Sequence, residues 1–159
     1  MSTKTADLCD EFDNELQVLE PIFSDFGGVL EFGGPVHTVK AFEDNTFVRA
    51  AVESPGNGRV LIVDGGGSLR CAMLGGNLAV LAEQNGWNGV IINGCVRDTA
   101  EIEDTAIGVK ALATNPRRSL KKGVGETDVA VQFASATIKP DSFVYADEDG
   151  IVVSERKLD

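Results

Sequence analysis

The residues best suited to chemistry lie in two short segments, Gly75-Gly76-Asn77-Leu78 and Arg97-Asp98. The first segment precedes a helix-like stretch. Backbone N–H groups in the first turn of a helix have no intrahelical partner and carry the positive end of the helix dipole, so they bind anions. An arginine binds a carboxylate bidentately, and an aspartate binds a hard cation such as Mg²⁺. Together these residue types predict a site for a small carboxylate and a divalent metal.

Two apolar runs and the helix between them are expected to bring these segments together. Val60-Leu61-Ile62-Val63 and Val90-Ile91-Ile92 predict buried parallel strands, and Asn85-Gly86 predicts the C-terminal cap of the intervening helix. Open α/β sheets bind ligands beyond the carboxyl ends of their parallel strands, where this helix begins. The same residues are also compatible with a simple turn before a helix and an exposed Arg-Asp ion pair at a strand end.

The other predicted elements give an α/β protein with a mixed sheet. Helices are predicted at 5–12, with Thr5 as its cap, and at 45–52, behind an Asp44/Asn45 cap. Strands are predicted at 36–42, 109–113, 129–133, 136–138, 143–145 and 151–153, the last two joined by a hairpin through Asp149-Gly150. Repeats, low-complexity segments and linkers are absent from the sequence, so residues 1–159 are predicted to form a single domain.

Composition narrows the classes of partner. With 25 Asp+Glu against 14 Lys+Arg, the net charge is -11, so a nucleic acid would be repelled except at a basic patch. We interpret the one dense patch, Arg117-Arg118 with Lys121-Lys122, as a solvated loop because no aromatic residues interleave it. Three cysteines without a Cys-x-x-Cys pair predict neither a disulfide framework nor a zinc site, which fits the cytoplasm. No apolar run approaches the ~20 residues that span a bilayer.

Three further features are interpreted as structural. His37, the sole histidine, lies in a predicted strand and is expected to be structural rather than a general base. Cys95 lacks an evident base and is expected to pack rather than act as a nucleophile. Asp64-Gly65-Gly66-Gly67-Ser68 is similar to a dinucleotide or adenosyl-methionine loop, but it is not Gly-x-Gly-x-x-Gly and no predicted helix follows it directly, which favours a tight turn.

Several blocks of the chain resemble the RraA-like family, which includes 4-hydroxy-4-methyl-2-oxoglutarate aldolases and regulators of ribonuclease E activity. The resembling blocks, which extend over nearly the whole chain, are 20–28, 42–45, 63–68, 74–79, 85–89, 94–98, 123–126, 145–147 and 150–151. The resemblance implies a β/β/α fold of the phosphohistidine-domain type with a mixed sheet. It also implies a ring-shaped homotrimer, or a dimer of trimers, with sites at the subunit boundaries.

The resemblance also implies an activity. The aldolase members are lyases that depend on a divalent cation, Mg²⁺ or Mn²⁺, cleave 4-hydroxy-4-methyl-2-oxoglutarate to two pyruvates and decarboxylate oxaloacetate. Gly75, Gly76, Asn77 and Leu78 match their substrate-binding turn. Arg97 matches the substrate arginine and Asp98 the metal-binding aspartate, and both are expected to be catalytic.

Alternative functions remain at this stage. Regulator-type members typically lack this turn and carry another residue after the arginine. The chain therefore resembles the lyases more than the regulators. A regulator that binds and inhibits ribonuclease E remains the alternative. A methyltransferase is a third option, motivated only by the loop at Asp64. Gly76 occupies a position that is an aspartate in many aldolase members, which puts a second acidic contact in question. No titratable group is evident for the 4-hydroxyl proton of the substrate, and a water in the metal shell is our hypothesis for the base.

Overall fold

The apolar runs of the sequence form strands and the amphipathic stretches form helices. The structure is a computed structural model that describes residues 3–159. Its helices are α1 (Thr5–Phe12), α2 (Thr46–Glu53), α3 (Gly76–Gln84) and α4 (Thr99–Glu103), with a 3₁₀ turn at Asp13–Glu15. Its strands are β1 (Leu16–Val18), β2 (Ser24–Asp25), β3 (Phe32–Lys40), β4 (Val60–Asp64), β5 (Ala72–Leu74), β6 (Gly89–Val96), β7 (Gly108–Thr114), β8 (Glu126–Thr127), β9 (Val131–Phe133), β10 (Ala136–Ile138), β11 (Phe143–Asp147) and β12 (Gly150–Ser154).

The strands form a ten-stranded mixed sheet and a separate two-stranded hairpin. The main order is β1-β12-β11-β3-β4-β6-β7-β2, with β5 beside β6 and β8 beside β3, and β9 pairs with β10. β3, β4, β6 and β7 are mutually parallel, whereas β1, β11 and β12 pair antiparallel. This arrangement confirms the predicted α/β class with a mixed sheet, and the predicted strands before and after α3 are parallel neighbours.

The parallel strands are covered on both faces. Leu61 and Val63 of β4 belong to a core that also contains residues of α2 and α3. Val60 and Ile62 of the same strand pack into a second core with residues of β9–β12. The parallel strands therefore have helices on one face and, on the other, the β9–β10 hairpin and residues of β11 and β12, which explains why β4 is an uninterrupted apolar run.

The sequence located most elements but not all of their ends. The helix at 5–12 is confirmed, although its cap is not Thr5: Lys4 is the N-cap, while the Thr5 backbone N–H and hydroxyl donate to the Asp147 carboxylate at 2.8 and 2.7 Å. The strand predicted at 36–42 starts earlier, at Phe32. Its beginning was not predicted because Gly33-Gly34-Pro35 shows no alternation of apolar and polar residues. The Asp149-Gly150 hairpin is confirmed, with Asp147 paired to Gly150.

His37 is half-buried and Cys95 is fully buried. His37 is half-buried beside Trp87, with ring centroids 6.0 Å apart, and its burial lowers the imidazole pKa. Cys95 is fully buried in β6, and this burial raises the pKa of its thiol. Across residues 3–159, none of the helices has the length and apolar character needed to cross a membrane.

Candidate functional site

The two segments singled out in the sequence lie side by side. α3 starts at Gly76, and β6 ends at Val96, immediately before Arg97 and Asp98. The Arg97 backbone N–H donates to the Leu74 carbonyl at 3.0 Å, which fixes the end of β6 against the residues that lead into α3. A cavity of about 160 Å³ opens there, with walls that include Gly75, Asn77, Leu78, Arg97 and Asp98.

Asp98 is held in an unusual backbone conformation at this junction. Its φ of 58° and ψ of 47° are left-handed, a region that non-glycine residues rarely occupy and that is found at functional sites. Its carboxylate does not cap its own helix but accepts a 3.0 Å hydrogen bond from the Gly76 N–H at the start of α3. A Cβ at Gly75 would lie 2.8 Å from Asp98 Oδ2, so glycine at 75 leaves room for this carboxylate.

Glu101, which the sequence did not single out, lies next to Gly76. A Cβ at Gly76 would overlap the Glu101 carboxylate and would lie 2.9 Å from the Glu101 Cβ. Glu101 lies in α4, three residues after the N-cap Asp98, and both carboxylates reach the start of α3. The absence of a side chain at 76 therefore makes room for a carboxylate from α4. The Asp-x-x-Glu spacing directly after the strand is the signal that could have indicated it.

The donor set fits a hard divalent cation. Asp98 and Glu101 each bring carboxylate oxygens to the start of α3, in space that side chains at 75 and 76 would fill. Among residues 3–159 no group of three or more His, Cys, Asp or Glu side chains is arranged to hold a metal ion. Mg²⁺ typically takes one or two protein carboxylates and completes its shell with water and substrate oxygens, so two carboxylates suffice for it.

Uncompensated positive groups line the same cavity. The Gly76 N–H is used by Asp98, whereas the N–H groups of Asn77 and Leu78 lie in the first turn of α3 and have no intrahelical partner. The Arg97 guanidinium donates only to the Pro116 carbonyl, at 3.4 Å, and no carboxylate of residues 3–159 lies within 4.0 Å of it. These donors are available to bind a carboxylate.

The basic patch predicted to be a solvated loop is exposed and also contributes to the cavity wall. Arg118 and Lys121 line it, together with Arg49 of α2. The sequence interpretation was therefore incomplete. Charge and the lack of aromatic residues indicated solvent exposure, but proximity to the start of α3 depends on tertiary contacts such as the Ala72 N–H donating to the Arg117 carbonyl at 2.7 Å.

Asp44 connects this loop to the start of α2. Its Oδ1 accepts hydrogen bonds from the Thr46 N–H and hydroxyl at 3.0 and 2.7 Å, and its Oδ2 accepts from the N–H groups of Lys122 and Val124 at 2.8 and 3.2 Å. Burial would raise the Asp44 pKa, but the hydrogen bonds outweigh burial and lower the pKa to about 2. The ionised Asp44 carboxylate thus joins the start of α2 to the loop at 122–124 by hydrogen bonds.

Comparison with known proteins places this geometry in a family. A model of the family described as Aldolase/RraA matches residues 5–153. The chain belongs to the RraA-like family. A protein of Alkalilimnicola ehrlichii named "Putative 4-hydroxy-4-methyl-2-oxoglutarate aldolase" is 59% identical over 158 residues, which cover 99% of this chain and 98% of the relative.

Two solved structures share the RraA-like fold of this chain closely. The RNA-processing inhibitor RraA from Thermus thermophilis is 46% identical with a TM-score of 0.96, covering 100% of this chain and 96% of that one. An S-adenosylmethionine:2-dimethylmenaquinone methyltransferase from Geobacillus kaustophilus is 51% identical with a TM-score of 0.94, covering 98% and 96%. The relatives of this RraA-like chain thus carry names from three different functions.

The glycine loop of this RraA-like chain is a closed turn. Asp64 Oδ1 accepts hydrogen bonds from the Gly66 N–H at 3.0 Å and from Asn93 Nδ2 at 3.1 Å. The chain then continues into β5 at Ala72 rather than into a helix. The Asp64 oxygen is occupied within the fold, and a helix N-terminus that could bind a phosphate does not follow, so the loop offers no nucleotide-binding geometry.

Proposed function

We propose that the protein is a divalent-metal-dependent lyase that cleaves 4-hydroxy-4-methyl-2-oxoglutarate to two pyruvates and also decarboxylates oxaloacetate. The observation that carries this proposal is the meeting of Arg97, Asp98 and the first turn of α3 at one cavity, with the Glu101 carboxylate beside Gly76 at the start of the same helix. The aldolase name of the 59% identical relative supports the lyase class.

The chemistry requires the parts found at the cavity. Both reactions break a carbon–carbon bond next to a 2-oxo acid, so negative charge develops on the keto oxygen in the transition state. A Mg²⁺ or Mn²⁺ ion held by Asp98 and Glu101 would act as a Lewis acid toward that oxygen. A Schiff-base lysine is then not required.

The protein groups hold and orient the substrate. Arg97 binds the carboxylate of the 2-oxo acid bidentately, and the N–H groups of Asn77 and Leu78 add donors and positive potential. Gly75 and Gly76 leave room for the Asp98 and Glu101 carboxylates beside this backbone. The described residues that line the cavity include no histidine or cysteine, so we propose that a water in the shell of the bound cation, next to Asp98, would take the 4-hydroxyl proton.

The test is pyruvate release from oxaloacetate and from 4-hydroxy-4-methyl-2-oxoglutarate. Turnover should require Mg²⁺ or Mn²⁺, stop on addition of a chelator and resume when the cation is restored. Asp98→Ala should abolish turnover, whereas Asp104→Ala, which removes an exposed carboxylate at the far end of α4, should not. Turnover that is absent, or that persists without a divalent cation, would refute the proposal.

The competing function is inhibition of ribonuclease E, which the name of the 46% identical RNA-processing inhibitor supports. An inhibitor that acts through its acidic surface would not need Asp98 at the cavity. Purified protein and its Asp98→Ala variant should therefore be compared for inhibition of ribonuclease E. Inhibition without any lyase turnover, equal in both proteins, would favour the regulator over the lyase.

We also propose that the chain forms a homotrimer or a dimer of trimers. Four large apolar side chains on loops next to the basic patch and the glycine loop are more than half exposed: Phe42, Leu69, Leu120 and Val124. Exposed apolar groups clustered in this way are typical of protein interfaces. Sedimentation of the protein at several concentrations measures the mass of the assembly, and a monomer at all of them would refute this proposal.

A further inference from the structure

The end of the glycine loop binds a carboxylate from another part of the chain. The Ser68 hydroxyl donates to Glu43 Oε2 at 2.6 Å, and Arg70 Nε donates to the same oxygen at 2.7 Å. The hydrogen bonds from Arg70 and Ser68 lower the pKa of the Glu43 carboxyl, so it stays ionised at neutral pH. Hydrogen bonds to a charged acceptor are stronger than those between neutral groups. The glycine loop, which offers no nucleotide-binding geometry, therefore holds Glu43 in place.

Glu43 has a backbone conformation that its surroundings must maintain. Its φ of 57° is left-handed, which is uncommon for a residue other than glycine and persists only where neighbouring groups enforce it. The glycine loop also packs against the residue before it: a Cβ at Gly66 would lie 2.6 Å from the Phe42 ring. Contacts of the glycine loop with Phe42 and Glu43 thus set the direction in which the chain continues after residue 43.

The backbone after Glu43 leads directly into the cavity wall. The Leu120 N–H donates to the Glu43 carbonyl at 2.8 Å, and the Asn45 N–H donates to the Leu120 carbonyl at 3.3 Å. Asn45 itself lines the cavity, as do Ser119 and Lys121 on either side of Leu120. The position of Glu43 therefore sets the position of Asn45 and of the basic loop at the cavity.

We propose that Ser68, Glu43 and Arg70, the Glu43 cluster, position the cavity wall for the substrate, and that this is the role of the glycine loop. The inference rests on the proposed function, since it takes the cavity to be the substrate site. The three side chains act through the backbone at 43–45 and at Leu120, so they are positioning residues rather than catalytic residues. Residues that share one hydrogen-bond network are energetically coupled, which carries the effect from the glycine loop to the wall.

The first test is amide hydrogen exchange in the free protein, which does not depend on turnover. Glu43→Gln removes the charge and Ser68→Ala removes the hydroxyl. In both variants the Leu120 N–H should exchange about three- to tenfold faster, because the carbonyl that it binds is no longer fixed. The Leu8 N–H of α1, which donates to the Lys4 carbonyl at 3.0 Å, should exchange at the wild-type rate.

The second test is ligand binding by calorimetry. The ligand is 2-oxoglutarate, which has the carboxylates and keto group of the proposed substrate but no 4-hydroxyl to deprotonate. With Mg²⁺ present, Glu43→Gln and Ser68→Ala should bind it about three- to tenfold more weakly, and Ser68→Thr, which keeps a hydroxyl, should restore binding. The affinity for Mg²⁺ alone should change by less than about twofold, because Asp98 and Glu101 lie at the start of α3 and not in the Glu43 cluster.

Two further variants separate positioning from stability. Glu43→Gly removes the carboxylate, but glycine adopts the left-handed conformation without strain, so its Tm should stay close to that of the wild type. Its binding of 2-oxoglutarate should nevertheless weaken as in Glu43→Gln. Glu155→Gln is the matched control, because it disrupts an exposed ion pair with Lys139 at 3.2 Å. This control should change neither the exchange of the Leu120 N–H nor the binding of 2-oxoglutarate.

The outcomes distinguish this inference from the proposed function. Wild-type affinity for 2-oxoglutarate in Glu43→Gln and Ser68→Ala would overturn the positioning role, even with faster exchange at Leu120 and with metal-dependent lyase turnover. Equal losses of Tm, Mg²⁺ affinity and 2-oxoglutarate affinity would also overturn it, because they would show a structural role only. Weaker 2-oxoglutarate binding that Ser68→Thr restores, with Mg²⁺ affinity unchanged, supports the positioning role even when the wild-type protein releases no pyruvate.

Discussion

Replacement of Glu101 by alanine probes how the site works with a glycine at 76. The Glu101 carboxylate occupies the space that a side chain at 76 would fill, beside the Asp98 carboxylate that accepts from the Gly76 N–H. Groups that support a metal ligand typically contribute 10–100-fold to metal affinity or activity. We therefore expect Glu101→Ala to weaken activation by Mg²⁺ or Mn²⁺ by about 10–100-fold, or about 1.4–2.7 kcal/mol. Glu101 is exposed, so folding should be unaffected.

The assay is the initial rate of oxaloacetate decarboxylation as a function of Mn²⁺ concentration, together with direct calorimetric titration of Mn²⁺. Glu103→Ala is the matched control, because Glu103 is an exposed glutamate on the same short helix, whereas the atoms nearest to a Cβ at Gly76 all belong to Glu101. The control should keep wild-type metal activation. A Mn²⁺ affinity of Glu101→Ala equal to that of the control would refute the role of Glu101.

A double substitution tests whether positions 76 and 101 share one carboxylate site. Gly76→Asp alone should be destabilised by about 1–3 kcal/mol, because its Cβ would overlap the Glu101 carboxylate and would lie 2.9 Å from the Glu101 Cβ, which cannot rotate away. Combined with Glu101→Ala, which removes the overlapping carboxylate and leaves only the 2.9 Å contact between the two Cβ atoms, the new aspartate supplies a carboxylate at the same place. The double variant should therefore regain metal activation relative to Glu101→Ala and stability relative to Gly76→Asp. Additive losses in both properties would show that the two positions do not share one carboxylate site.

Three further predictions concern other parts of the site. Arg97→Lys should raise KM for oxaloacetate about tenfold or more, since an ammonium cannot reproduce the bidentate fork, and steady-state kinetics with unchanged KM would remove Arg97 from the site. Asp98→Gly and Asp98→Ala should both be inactive, but urea unfolding should find the glycine variant more stable by about 1 kcal/mol because of the left-handed backbone; equal stability would argue against strain there. The Asp44 pKa of about 2, lower than its usual 3.8, contributes about 2 kcal/mol that is present above pH 4 and is lost as the pH falls from 4 to 2, so the wild type should lose stability in this window more steeply than Asp44→Asn, and parallel curves would contradict this.

The parts of the fold that the sequence predicted are those in which local pattern and tertiary role agree. β4 and β6 are buried on both faces, so their apolar runs are visible without any knowledge of their neighbours. α3 is marked at its end by Asn85-Gly86, and Gly86 has the expected left-handed φ of 83°. Short strands such as β2 and β8, two residues each, carry no periodic signal, because their existence depends on partners distant in sequence.

Part of the candidate site could likewise be predicted from the sequence, and part could not. The segments 75–78 and 97–98 could be placed together because the ends of parallel strands and the start of the connecting helix share one edge of the sheet. Glu101 was missed because α4 is only five residues long and has little apolar pattern. Ser119, a buried cavity residue whose hydroxyl makes no hydrogen bond, was missed because a serine in a basic loop has no distinguishing sequence signal.

The positive charge of the cavity is opposite in sign to the net charge of the chain. The chain carries -11 overall, yet Arg49, Arg97, Arg118 and Lys121 all line one cavity. The net charge repels a dianionic substrate and the cavity attracts it, so the long-range field opposes encounter while the local field favours binding. Added salt screens both contributions, but it screens the exposed surface charges more than the cavity groups. Moderate salt should therefore weaken the binding of the dianionic 2-oxoglutarate less than expected from the loss of attraction to four basic residues. Screening of the repulsion from the acidic surface offsets part of that loss.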